Sequence, residues 1–148
     1  MKKTIILLAA LLLVSPVSFA KSGQDVPLGM IIVNMSGFRN DNGNARVFLF
    51  NSPAGFPDDA HKAYEVTTSQ IKNGKAAAFF EFTPFGDYAI SMFHDEDSDG
   101  VMDTNWYGKP MEGYGISGDA KGYRVDTFSD AKFTLNRNSM NIDIETGY

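Results

Sequence analysis

Turn-forming clusters interrupt this chain so often that a long helix has no room to form. They are Asn40-Asp41-Asn42-Gly43-Asn44, Ser52-Pro53-Ala54-Gly55-Phe56-Pro57, Asn73-Gly74, Pro84-Phe85-Gly86-Asp87 and the acidic run Asp95 to Asp103. Asn-Gly accepts the positive φ angles of tight hairpins, and proline breaks a strand or helix that reaches it. Between the clusters lie short apolar runs rich in β-branched and aromatic residues, which read as strands. Leu28 to Ser36 is apolar without helical spacing, Arg46 to Asn51 follows, and Ala63 to Ile71 alternates loosely through Tyr64, Val66 and Thr68. Lys75 to Thr83 has alanines that suit a helix and phenylalanines that suit a strand. Its close turn boundaries decide for strand, since a typical helix needs about eleven residues.

Tyr88 to Phe93 is the next strand, with Tyr88, Ile90 and Met92 on one face and Ala89, Ser91 and Phe93 on the other. Two more, near Asp130 to Leu135 and Met140 to Glu145, end the chain. About seven short strands and no convincing helix predict an all-β fold, an antiparallel β-sandwich. A small outer-membrane barrel is the alternative, but the strands are uneven and lack the regular ten-residue alternation of lipid-facing strands. Gly86-Asp87-Tyr88-Ala89-Ile90 resembles the corner before a central strand in transthyretin-like and Ig-like sandwiches.

Residues 1–20 read as a signal peptide: Met1-Lys2-Lys3, an apolar run from Ile5 to Val14, then small residues at Ser18 and Ala20. Ten apolar residues fall short of the ~20 that span a bilayer, so no membrane insertion is expected after cleavage. Residues 21–148 would then form one domain, periplasmic or secreted. The chain has no cysteine, so packing and possible metal binding must hold it without disulfides. The full chain carries 13 basic and 18 acidic residues; removing Lys2 and Lys3 leaves 11 against 18, a net charge of −7. That balance disfavours nucleic acid as a partner, because such binding draws on clustered Lys and Arg.

Five of the acids fall within Asp95 to Asp103, in the order Asp-x-Asp-x-Asp-Gly-x-x-Asp. This spacing lets a tight loop wrap oxygen ligands around Ca²⁺, a hard cation that takes six to eight oxygens. Asp95, Asp97 and Asp99 turn inward, Gly100 gives the bend, the Val101 carbonyl can ligate, and Asp103 closes the ring. The helix-loop-helix calcium motif needs glutamate at position 12, where this chain has Trp106, so the loop reads as one that joins strands. Magnesium wants a stricter octahedron, and zinc wants Cys or His, of which only His61 and His94 exist. His94 reads as a loop-edge histidine bonded to the acids. Asn40 to Asn44 could form a second metal loop, but it carries one carboxylate.

After the loop, Thr104 to Val125 is dense in glycine and aromatics without a period. Trp106, Tyr107 and Tyr114, with His94 and Glu112, are the candidate ligand or partner surface, or else the aromatics pack as a lid over the sandwich. Glu112 could reach back to calcium or pair with Lys109. The strand Gly86-Asp87-Tyr88-Ala89-Ile90 and the run His94-Asp95-Glu96-Asp97-Ser98-Asp99-Gly100, with Asp103-Thr104-Asn105 and Gly108 to Ser117, resemble over most of the mature chain the bacterial secreted proteins classed as domain of unknown function 2141. The family pattern has Asn at positions 97 and 99 and Phe at 116; the exchanges here keep oxygen ligands and add charge. The resemblance implies the fold and an exported location, and says little about activity. The expected function is a non-enzymatic calcium-binding module that engages a protein or envelope glycan. The alternative is a small periplasmic hydrolase using His94 and nearby carboxylates, though the sequence shows no Gly-x-Ser-x-Gly nucleophile motif.

Overall fold

The strand that leads into the acidic run is the axis of the molecule. In a computed structural model describing residues 25–118 and 127–148, it is β5, Gly86–Asp95. Before it come β1 (Leu28–Ser36), β2 (Asn44–Phe50), β3 (Glu65–Ser69) and β4 (Lys75–Pro84). After it come β6 (Tyr114–Ile116), a one-turn helix α1 (Phe128–Ala131), β7 (Phe133–Leu135) and β8 (Ser139–Glu145). The segment read as a signal peptide lies outside the described residues, as does 119–126.

The strands form two sheets, as expected of a sandwich: β4-β1-β8, and β3-β2-β5-β6 with β7 also on β5. One edge of β5 pairs with β2 along its length. The other is shared, Gly86–Tyr88 pairing with β7 and Ser91–Phe93 with β6. The sandwich is antiparallel except for one pair, since β8 runs parallel to β1, Met30 beside Ser139 through Ser36 beside Glu145. The corner before β5 is closed by its tyrosine, whose hydroxyl donates to the Pro84 carbonyl at 2.8 Å.

Alternation along the strands accounts for the core between the sheets. Ile31, Val33 and Met35 of β1 meet Val47 and Leu49 of β2 and Tyr88, Ile90 and Met92 of β5. The opposite face of β5 is buried as well. Ala89 and Phe93 pack with Phe48, Phe50, Phe128 and Ala131 in a second cluster. The proline-broken segment after β2 supplies Phe56, Ala60 and Ala63 to cover that face, and Met102 comes from the acidic loop. Burial of a Phe side chain stabilises by about 1.5–3 kcal/mol, so this outer cluster is a second source of rigidity for β5. The Asp95 end of the acidic run is thereby attached to a strand packed on both faces, and Met102, next to its other end, packs against the outer cluster.

Candidate metal centre

β5 ends on Asp95, which is only 1% exposed, while Asp97 and Asp99 stand in solvent. One carboxylate oxygen from each of the three lies within 4.8 Å of the others. The loop winds itself by Asx-type bonds. Asp97 accepts the N–H of Asp99 at 3.1 Å, Asp99 accepts that of Val101 at 2.7 Å, and Asp95 Oδ2 accepts that of Gly100 at 3.1 Å. Each bond occupies one oxygen of its carboxylate. The other Asp95 oxygen, Oδ1, is buried without a partner among the described residues. A buried carboxylate oxygen without a partner, on a side chain grouped with two more carboxylates, is costly unless a cation joins them. Asp103 does not join this trio.

Three neighbours hold the loop from behind. Gly43, at φ +62, lies so close that a Cβ there would be 1.8 Å from the Asp95 carbonyl oxygen. Asn44 Nδ2 donates to the Ser98 hydroxyl at 3.2 Å. Arg46 brings its guanidinium against Gly100, whose φ of +82 favours glycine. The Asn40 to Asn44 turn is therefore the cradle of the acidic loop. It does not act as a second metal loop, because the Asp41 carboxylate accepts the N–H groups of Asn73 and Gly74, both at 2.8 Å. Those bonds, the Gly74 one foremost, hold the Asp41 carboxyl below the usual range.

Glu112 is placed differently from either expectation. It is 4% exposed and takes no part in an ion pair with Lys109 among the described residues. Its Oε1 accepts the N–H of Glu96 at 2.7 Å and its Oε2 that of Asp103 at 3.1 Å. One carboxylate thus ties the two ends of the loop together. No local pattern announces this, because the staple spans sixteen residues on one side and nine on the other.

His94 stands at the edge of the loop, immediately before Asp95, but it is fully buried, so it offers no partner surface. Its Nε2 lies 2.9 Å from the Asn42 carbonyl, which can only accept, so Nε2 carries a proton. In the neutral ring Nδ1 then accepts the Tyr148 hydroxyl at 2.7 Å, and that hydroxyl accepts the Arg39 N–H at 3.0 Å. Burial pushes the Tyr148 hydroxyl above the usual tyrosine range, which keeps it a donor. Glu96, salt-bridged to Arg39 and bonded to Asn40 Nδ2, closes this corner. Burial raises the Glu96 pKa, but the Asn40 and Arg39 hydrogen bonds and the Arg39 charge outweigh it, and the carboxyl sits below its usual range.

His61 is elsewhere, exposed on the turn Ala60–Lys62 and lining a cleft of about 790 Å³ that does not include His94. The hydrolase arrangement, with His94 as an accessible base, does not form: both ring nitrogens are spent inside the protein. The side-chain donors grouped at Asp95, Asp97 and Asp99 are carboxylate oxygens, the donor type that hard cations take.

Beyond Asp103 the chain forms a tight hairpin. Met111 N–H donates to the Asp103 carbonyl at 2.8 Å, and Asn105 and Lys109 join across the tip, where Asn105 Oδ1 accepts the N–H groups of Tyr107 and Lys109. Trp106 is 93% exposed and Tyr107 63%, their rings edge to face at 4.9 Å. These aromatics do not pack as a lid. Tyr114, partly exposed, lies instead in β6, a strand that the glycine-rich sequence did not announce.

No curated protein and no solved structure matches the chain. The family model for uncharacterized proteins conserved in bacteria, DUF2141, matches residues 33–143, from β1 into β8 and across the whole acidic loop. The chain belongs to this family.

Proposed function

We propose that this chain is an exported, non-enzymatic β-sandwich whose Asp95 to Asp103 loop holds Ca²⁺, and that it serves the cell envelope as a binding or scaffolding module. The observation that carries the reading is the grouping of the Asp95, Asp97 and Asp99 carboxylates within 4.8 Å of one another, together with a buried Asp95 oxygen, Oδ1, that has no partner among the described residues. The ion would draw on these three side chains; it would supply positive charge and fix the loop, with no part in bond-making chemistry. Trp106 and Tyr107, exposed on a hairpin that starts where the loop ends, are the contact for a protein or envelope glycan. Aromatic faces next to wet polar groups suit either partner.

Thermal unfolding tests the metal. A site of the weak extracellular kind, with Kd about 10⁻⁴ M, gains ~1.4 kcal/mol at ~1 mM calcium. For a domain of this size that is a rise of about 5 °C over the melting temperature in chelator. Asp97→Ala should abolish the difference. Identical melting curves in calcium and chelator for the native protein contradict the reading.

A further inference from the structure

We infer that Glu112 couples the metal loop to the aromatic hairpin, so that cation binding sets the position of Trp106 and Tyr107. This rests on the calcium reading above and assigns that site a regulatory role towards the partner surface. The connection is a single buried carboxylate. Glu112 Oε1 holds the Glu96 N–H, one residue beyond the first metal-facing side chain, and Oε2 holds the Asp103 N–H, the first residue of the hairpin. Asp103 also receives the Met111 N–H on its carbonyl, so its peptide belongs to the loop and the hairpin at once.

Among the described residues the hairpin tip bonds only to itself, through Asn105, Gly108 and Lys109, and its two aromatics stand in solvent. Its orientation is therefore set at its base, by the bonds to Asp103, by Glu112, the residue after Met111, and by the Gly113 carbonyl, which accepts the His94 N–H of β5 at 2.7 Å. A cation that fixes Asp95, Asp97 and Asp99 restrains the loop between the two N–H groups that Glu112 grips. The staple then carries that restraint to the hairpin base. Glu112 is a positioning residue here: its two carboxylate oxygens are engaged by N–H groups rather than by the ion. Partners that orient the ligands of a metal typically change its affinity by about 10- to 100-fold when mutated.

Amide hydrogen exchange on the full chain, with and without calcium, separates this coupling from the metal reading. Calorimetric titration with calcium first shows whether the ion binds. In the native protein calcium should slow exchange at Glu96, Asp103 and the hairpin amides of Asn105 to Lys109 and Met111 together. It should also raise the emission anisotropy of Trp106, the one tryptophan of the chain. Glu112→Gln places an amide NH₂ against one of the two backbone N–H groups. It should weaken calcium binding about tenfold and leave the hairpin amides and the Trp106 anisotropy unresponsive at saturating calcium. Absence of calcium binding would sink the metal reading and this coupling with it. Binding that slows exchange within Asp95 to Val101 while the native hairpin stays unchanged overturns the coupling alone, whatever the variant does.

Discussion

Replacing Gly43 by alanine is the sharpest test of how the loop is supported, because the structure leaves no space for even one methyl group. The new Cβ would stand 1.8 Å from the Asp95 carbonyl oxygen and 2.7 Å from the Glu96 carbonyl carbon. Reaching the 3.0 Å floor of real Cβ contacts requires a separation of about 1.2 Å more. The obstacle is backbone in a paired ladder, Asn44 beside Asp95, so no flexible side chain can yield instead. The left-handed φ adds about 1–2 kcal/mol for a non-glycine residue, and overpacking costs about 1–3 kcal/mol. The expected loss is therefore about 2–5 kcal/mol in chelator, measured by urea denaturation. Displacing the Asp95 peptide also misplaces its carboxylate, so the stabilisation by calcium should vanish. Gly43→Asn separates the two causes: asparagine tolerates φ +62 but still carries a Cβ, and the steric account makes it nearly as damaging as alanine. A loss below about 1 kcal/mol for Gly43→Ala, with the calcium increment intact, would refute the packing argument.

Other perturbations probe the remaining supports. Phe50→Ala should cost about 3–5 kcal/mol, as much as Phe80→Ala, because the outer face of β5 is core too; a surface-like cost in equilibrium unfolding would contradict that. Trp106→Ala should change stability by no more than about 0.5 kcal/mol while removing capture on a glycan array or from envelope extract; a large stability loss would mean that the ring packs after all. The Glu96 carboxyl titrates below the usual glutamate range, so its stabilisation is complete above that range and is lost as pH falls through the depressed folded pKa. Acid titration of stability should thus be steeper on the acid side of the usual glutamate range in the native protein than in Glu96→Gln, and equal slopes would remove Glu96 from the acid response.

Most strands were legible because their signals are local. Leu28–Ser36 was bounded by its own composition, and Asn73-Gly74 and Pro84 bracketed β4 closely enough to override its alanines. The two faces of β5 also followed from alternation, Tyr88, Ile90 and Met92 against Ala89 and Phe93. What escaped depends on distant parts of the chain. The parallel pairing of β1 with β8 joins residues more than a hundred positions apart, and no turn signal encodes it. β6 is three residues long, Tyr114-Gly115-Ile116, with no period to read; Gly115 is there because a Cβ would meet Ile144 at 2.5 Å. In the site, the spacing of Asp95, Asp97, Asp99 and Gly100 revealed the loop itself, since winding a tight loop is a local act. The burial of His94 was invisible because Asn42 and Tyr148, which satisfy it, lie 52 residues before it and 54 after it in the chain. The role of Glu112 was missed for the same reason: a carboxylate beside an acidic loop looks like a ligand until its two N–H partners are known.

A crystal structure of the protein grown in millimolar calcium tests the central claim most directly. The account predicts one strong spherical peak with anomalous signal among the three aspartates, with carboxylate oxygens of Asp95, Asp97 and Asp99 at about 2.3–2.6 Å and Asp95 Oδ1 among the ligands. Loop carboxylates that contact only water at those concentrations, with Asp95 Oδ1 satisfied by a protein group, would contradict it.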